Sequence, residues 1–223
     1  MNEASGPVPA LARAAAQLSV PARDVHQAVL AAFTAAGQPP PAAELDRLAR
    51  RHGSDPDRIR AELTGADLLA FTAHGEVRAA YPFSPAPTAI RVSWESGPEV
   101  YSMCAIDALG MSAMLGRPVI ITAAEPGTGR RITVAVDGDQ ARWAPATAVV
   151  FAGETGEAGC PSADRCCGHI NFFTTGRAAR AWARGHPEIT GTILSRPGAL
   201  RVGIDQFGSL LQPADGGASG HGE

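Results

Sequence analysis

In the stretch DVHQAVLAAFTAA, from Asp24 to Ala36, the apolar side chains Val25, Val29, Leu30 and Phe33 recur at three- and four-residue steps, the spacing of one helix face. A glycine and a proline triplet then end it. PAAELDRLARRHG places Leu45 and Leu48 on one side and stops at Gly53, which predicts a second helix. SDPDRIRAELTGADLLA predicts a third, with Ser54 or Asp55 as cap, Pro56 in the first turn, and Ile59 and Leu63 facing inward. Two short extended pieces around His74 and Gly75 follow in FTAHGEVRAAYPF, a hairpin signal. Three helices and a hairpin predict a winged-helix-like domain over residues 22–84.

The pattern changes after the proline-containing SPAPTAI. IRVSWESGPEVYSM alternates as strands do, whereas CAIDALGMSAMLG reads as a helix. The runs RPVIIT, RRITVAVDG, TAVVFAG and HINFFTT are rich in β-branched or aromatic residues and predict strands. AARAWARGH and PGALRVGIDQFGSLLQ predict helices. Strands in series favour a mixed, mostly antiparallel sheet with flanking helices, an α+β domain over residues 85–212. Residues 1–21 and 213–223, rich in Ala, Gly and Pro, are expected to be a flexible segment and a disordered tail.

Composition narrows the class of partner. An apolar fraction of 45 % in 223 residues is enough for a proper core. A formal charge of -3, with acids and bases intermixed, lacks the basic footprint that drives binding to phosphate backbones. Arg47, Arg50, Arg51, Arg58 and Arg60 are the nearest thing to a basic face, and Asp46, Asp55, Asp57 and Glu62 largely cancel it. The first twenty residues lack a secretory pattern, and no apolar run is long enough to span a bilayer, so a cytoplasmic location is expected.

In a reducing compartment, the four cysteines at 104, 160, 166 and 167 point to thiol or metal chemistry more than to a disulfide framework. The bland alternative is that they are small buried hydrophobes. If CAIDAL opens a helix, Cys104 lies at its first turn with Asp107 on the same face. A helix N-terminus favours a thiolate, and a nearby carboxylate opposes it. Cys167, at the start of the strand GHINFF, can reach Cys104 only if that strand packs beside the helix. Cys160, Cys166, Cys167 and His169 also admit a zinc reading, although adjacent cysteines followed by Gly-His match no common ligand spacing. Met103, Met111 and Met114 recur at helical spacing and are read as packing, not as soft-metal ligands.

The winged-helix-like portion is followed by CAIDAL, MLGRPVIIT, a cysteine before HINFF, the tryptophan-bearing ARAWARGH and GSLLQ. In this order of parts the chain resembles the organomercurial (alkylmercury) lyases. The resemblance implies cleavage of carbon–mercury bonds by protonolysis, giving a hydrocarbon and Hg(II). It matches Cys104, Asp107 and Cys167 to the family's catalytic cysteine, aspartate and second cysteine, which would also hold the transient Hg(II) product. Cys166 falls where the family does not require cysteine, Cys160 is a candidate spare thiol, and Met103 stands where an aromatic residue is associated with the family. No organic cofactor is implied, external thiol removes the ion, and a mercuric reductase is the expected recipient. The competing class is a winged-helix regulator sensing a thiophilic metal through Cys104, Cys160 and Cys167.

Overall fold

The computed structural model describes residues 10–155, 167–208, 210 and 211. The first helices are α1 (Ala10–Gln17), α2 (Val20–Ala36), α3 (Ala42–Arg51) and α4 (Pro56–Gly65). Ser19 caps α2, Asp55 caps α4, and each has proline in its first turn, so the local chemistry that starts these helices is where the sequence puts it. Helix α2 ends at Gly37, whose φ of 75° is open to glycine at no steric cost. Its inward face carries Val25, Val29, Leu30 and Phe33, and Phe33 stacks on Phe83 with ring centroids 4.9 Å apart.

The N-terminal stretch expected to be loose contains α1. Leu11, Ala14 and Ala15 pack against the core and Leu18 is buried, the spacing of an apolar helix face in an alanine-rich segment.

The strands that follow are β1 (Leu69–Phe71), β2 (Val77–Ala80), β3 (Phe83–Ser84), β4 (Ile90–Ser93) and β5 (Val100–Ser102). Helix α5 (Ala105–Leu115) leads into β6 (Val119–Ala124), β7 (Arg131–Asp137) and β8 (Gln140–Ala144). These eight strands form one antiparallel sheet in the order β1-β2-β3-β5-β4-β6-β7-β8. The β1–β2 hairpin is therefore no free wing, since β2 continues through β3 into the rest of the sheet. A second, three-stranded antiparallel sheet, β10-β9-β11, comprises β9 (Val149–Thr155), β10 (Ile170–Phe173) and β11 (Ile189–Leu194). The last helices are α6 (Gly176–Arg184) and α7 (Arg196–Phe207). The α+β class and mostly antiparallel sheet match the expectation from the sequence.

Strand alternation sends Ile90, Val92, Val119, Ile121, Ile132, Val134 and Val136 into the core. Helix α5 is the central element, with nine of its eleven residues buried, as a helix apolar on all sides must be. It packs on α7 at backbone contact: a Cβ on Gly110 would lie 2.4 Å from the carbonyl oxygen of Gly203. Met111 and Met114 are buried on α5, in keeping with a packing role. A smaller cluster of Phe151, Phe173, Ala179 and Ile189, with Trp182, joins the second sheet to α6.

Strands β8 and β11 have no counterpart among the predicted elements. QARWA alternates but is short and half polar, and ITGTIL carries a glycine that weakens its strand signal.

Candidate active site

The turn from β5 into α5 puts Cys104 at the N-cap, with an extended backbone at φ -154° and ψ 178°. In that conformation Sγ takes the place of the hydroxyl of a Ser or Thr cap and accepts the Asp107 backbone N–H at 3.4 Å. Asp107 stands one turn on and projects beside it. Cys167 comes from the other sheet. It lies in a single 3-10 turn, Cys167–His169, which runs into β10 and so differs slightly from the predicted strand start. Because β10 pairs with β9 and packs against α5, the turn is carried to the helix N-terminus.

The result is a cluster of Cys104, Asp107 and Cys167 whose sulfur and carboxylate ligand atoms all lie within 4.8 Å of one another. The three residues are only 2 %, 5 % and 5 % exposed, so an ion bridging them would be held out of bulk water. Among the described residues this is the group of His, Cys, Asp and Glu able to share one ion. His169 is not in it, and Cys160 and Cys166, which the zinc and sensor readings need, lie outside the described residues.

Of the two opposing influences on Cys104, the helix N-terminus that favours a thiolate and the carboxylate that disfavours it, neither is the largest: burial pushes this thiol up to about 11. A hydrogen bond from Cys167 and the Asp107 amide pull it down, while the charge of Asp107 and a hydrogen bond to its carboxyl push it up. Desolvation outweighs the helix end, and Cys104 rests as a neutral thiol. A hydrogen-bonding cysteine and a carboxyl group both lie beside it.

One supporting residue was not legible in the sequence. Glu125, 2 % exposed, accepts from both the backbone N–H and the hydroxyl of Thr174, each at 2.7 Å, and from the hydroxyl of Thr128. It ties the β6–β7 turn to the residue after β10, joining the sheet behind Cys104 to the sheet that leads from Cys167. An acid in AAEPGTG reads as a solvated turn, with nothing to signal a long-range partner.

An open groove of about 630 Å³, lined by Trp94, Glu95, Arg117 and Ile120 among others, also reaches Gly116, just past the far end of α5. It contains none of the three clustered residues.

The alkylmercury lyase family model (MerB) matches residues 83–208, which include all three residues of the cluster. The alkylmercury lyase of Streptomyces lividans is 28 % identical over 75 % of this chain and 76 % of its own length. That of Staphylococcus epidermidis is 30 % identical over 69 % of each. The solved structure of the mercury-bound form of MerB2 has the same fold, with a TM-score of 0.71 at 21 % identity over 91 % of this chain and 97 % of that one. The chain belongs to the alkylmercury lyase family.

Proposed function

We propose that this protein cleaves the carbon–mercury bond of alkyl- and arylmercury compounds by protonolysis, with Cys104, Asp107 and Cys167 as the reacting residues. The observation that carries the proposal is the buried convergence of two thiols and one carboxyl group within 4.8 Å, in a chain of this family.

The chemistry follows from softness and proton balance. Thiolates bind mercury strongly and weaken its bond to carbon by donating electron density, whereas water leaves that bond inert. Cys104 exchanges for the thiolate already on the organomercury cation, its proton leaving with the displaced thiol. Cys167 then adds as the second sulfur and gives its proton to Asp107. The carboxylic acid so formed delivers that proton to carbon as the carbon–mercury bond breaks. A hydrocarbon departs, Asp107 is a carboxylate again, and Hg(II) remains on two cysteine thiolates. Two external thiols return protons to the cysteines as they carry the ion away, and no organic cofactor takes part. A mercuric reductase is the recipient in this scheme, and the cytoplasm, where thiols stay reduced, is the fitting compartment.

No helix of the described residues is long and apolar enough to cross a membrane. The regulator alternative is not favoured. Arg60 pairs with Asp46 and Asp57 and Arg50 with Asp46, so part of the basic face it would use is neutralised.

The test is hydrocarbon release from a phenylmercury salt in excess cysteine, comparing wild type with Cys104→Ala, Asp107→Ala, Cys166→Ala and Cys167→Ala. Benzene release by wild type and Cys166→Ala, abolished in the other three, is the expected result. Activity retained in Cys167→Ala but lost in Cys166→Ala would overturn the choice between the adjacent cysteines. DNA binding with steep salt dependence, relieved by metal and without benzene release, would favour the regulator.

A further inference from the structure

The Cys104 thiol is held in place by a backbone turn, and that turn has a side chain built into it. Ser102, the last residue of β5, is fully buried. Its hydroxyl donates to the carbonyl oxygen of Cys104 at 3.0 Å and approaches that of Pro82 at 3.3 Å. Both acceptors already have a backbone donor: Ala108 N–H bonds to the Cys104 carbonyl at 3.1 Å, and Met103 N–H to the Pro82 carbonyl at 3.1 Å. Neither carbonyl needs Ser102 for satisfaction, so the hydroxyl acts as a geometric restraint spanning the residue before and the residue after Met103.

Behind it stands a second hydroxyl. Thr88 donates to the Ser102 carbonyl at 2.8 Å and accepts the Ile90 N–H at 3.2 Å, which anchors the end of β5 to the start of β4. Cys104 needs such help, because sulfur is a weaker acceptor than a Ser or Asp oxygen and holds the cap conformation less firmly.

From this geometry we infer that Ser102 is a positioning residue for the nucleophile: its hydroxyl fixes the Cys104 carbonyl, and with it the extended backbone that keeps Sγ beside Cys167 and Asp107. The inference rests on the proposed lyase chemistry for its kinetic consequence, but not for its structural one. Freed from the restraint, Cys104 samples orientations in which its sulfur leaves the cluster and meets water more often. Misplacement of a reacting atom by about 1 Å lowers turnover by up to roughly 100-fold, whereas entry of substrate is little affected.

The experiment compares wild type, Ser102→Ala and Ser102→Thr in the full chain by two readouts. The first is kcat and KM for benzene release from phenylmercury. The second, independent of lyase activity, is alkylation of the Cys104 peptide by iodoacetamide as a function of pH, followed by mass spectrometry. Ser102→Ala is expected to lose roughly 10- to 100-fold in kcat with KM nearly unchanged, and to alkylate faster with a lower pH midpoint. Ser102→Thr, which keeps the hydroxyl, is expected to restore both. Wild-type alkylation and wild-type kcat in a folded Ser102→Ala would overturn the inference, as would a loss that Ser102→Thr does not rescue. If wild type itself releases no benzene, the lyase proposal fails, and the alkylation profile still decides the role of Ser102.

Discussion

His26 offers a prediction in which sign and size both follow from burial. It lies on the inward face of α2, 1 % exposed, and among the described residues its Nε2 has no hydrogen-bond partner. Burial lowers its pKa from 6.5 to about 4. The unfolded chain therefore binds a proton below about pH 6.5 that the folded chain refuses until about pH 4. Stability is full above the higher value, falls as pH drops between the two, and levels off below the lower one. A gap of roughly 2.5 pH units, at about 1.36 kcal/mol each, caps the loss near 3 kcal/mol. At about pH 5 the share already lost is about 2 kcal/mol. The perturbation is His26→Leu, which removes the titrating group at similar volume. Urea unfolding of both proteins across this range gives the assay, because the difference between them cancels the titration of every other group. Wild type should lose about 2 kcal/mol relative to His26→Leu between about pH 7.5 and about pH 5. Parallel curves for the two proteins would refute the reasoning.

Other perturbations reach the scaffold of the cluster. Gly110→Ala forces a methyl group against the Gly203 carbonyl and should cost about 1–3 kcal/mol by chemical denaturation, despite alanine's better helix propensity; a neutral effect would mean that α5 and α7 are not at backbone contact. Burial pushes the Glu125 carboxyl up, but hydrogen bonds from Thr128 and Thr174 and the charge of Arg130 outweigh it and hold the group below the usual range. The stability it supplies is thus present at neutral pH and lost as pH falls through its folded value. Glu125→Ala should destabilise by about 1–3 kcal/mol at neutral pH, measured by urea unfolding, with the penalty shrinking in acid; a constant penalty would contradict the ionised clasp.

Local chemistry was the legible part of this sequence. The cap at Asp55 with Pro56 and the glycine stop after Ala36 signalled where helices begin and end, because short-range hydrogen bonding and steric limits decide these points. The nearness of Cys104 to Asp107 was equally open, since three residues on a helix fix it. Composition hid α1, where alanine richness suggested a loose end although Leu11, Ala14, Ala15 and Leu18 mark an apolar face. What periodicity could not supply was the meeting of two sheets. The approach of Cys167 to Cys104 depends on β10 pairing with β9 and packing on α5, and at the sequence level it came only through resemblance. The thiol's raised pKa was missed for a related reason: the helix end can be read from sequence, whereas the desolvation that overrides it exists only once the core has closed over the sulfur.

The central claim, that two sulfurs from separate sheets grip one mercury ion, is tested most directly by mercury X-ray absorption on protein loaded with one equivalent of Hg(II). Two protein sulfur ligands in wild type, falling to one in both Cys104→Ser and Cys167→Ser, is the predicted result. Two sulfurs persisting in Cys167→Ser would contradict it.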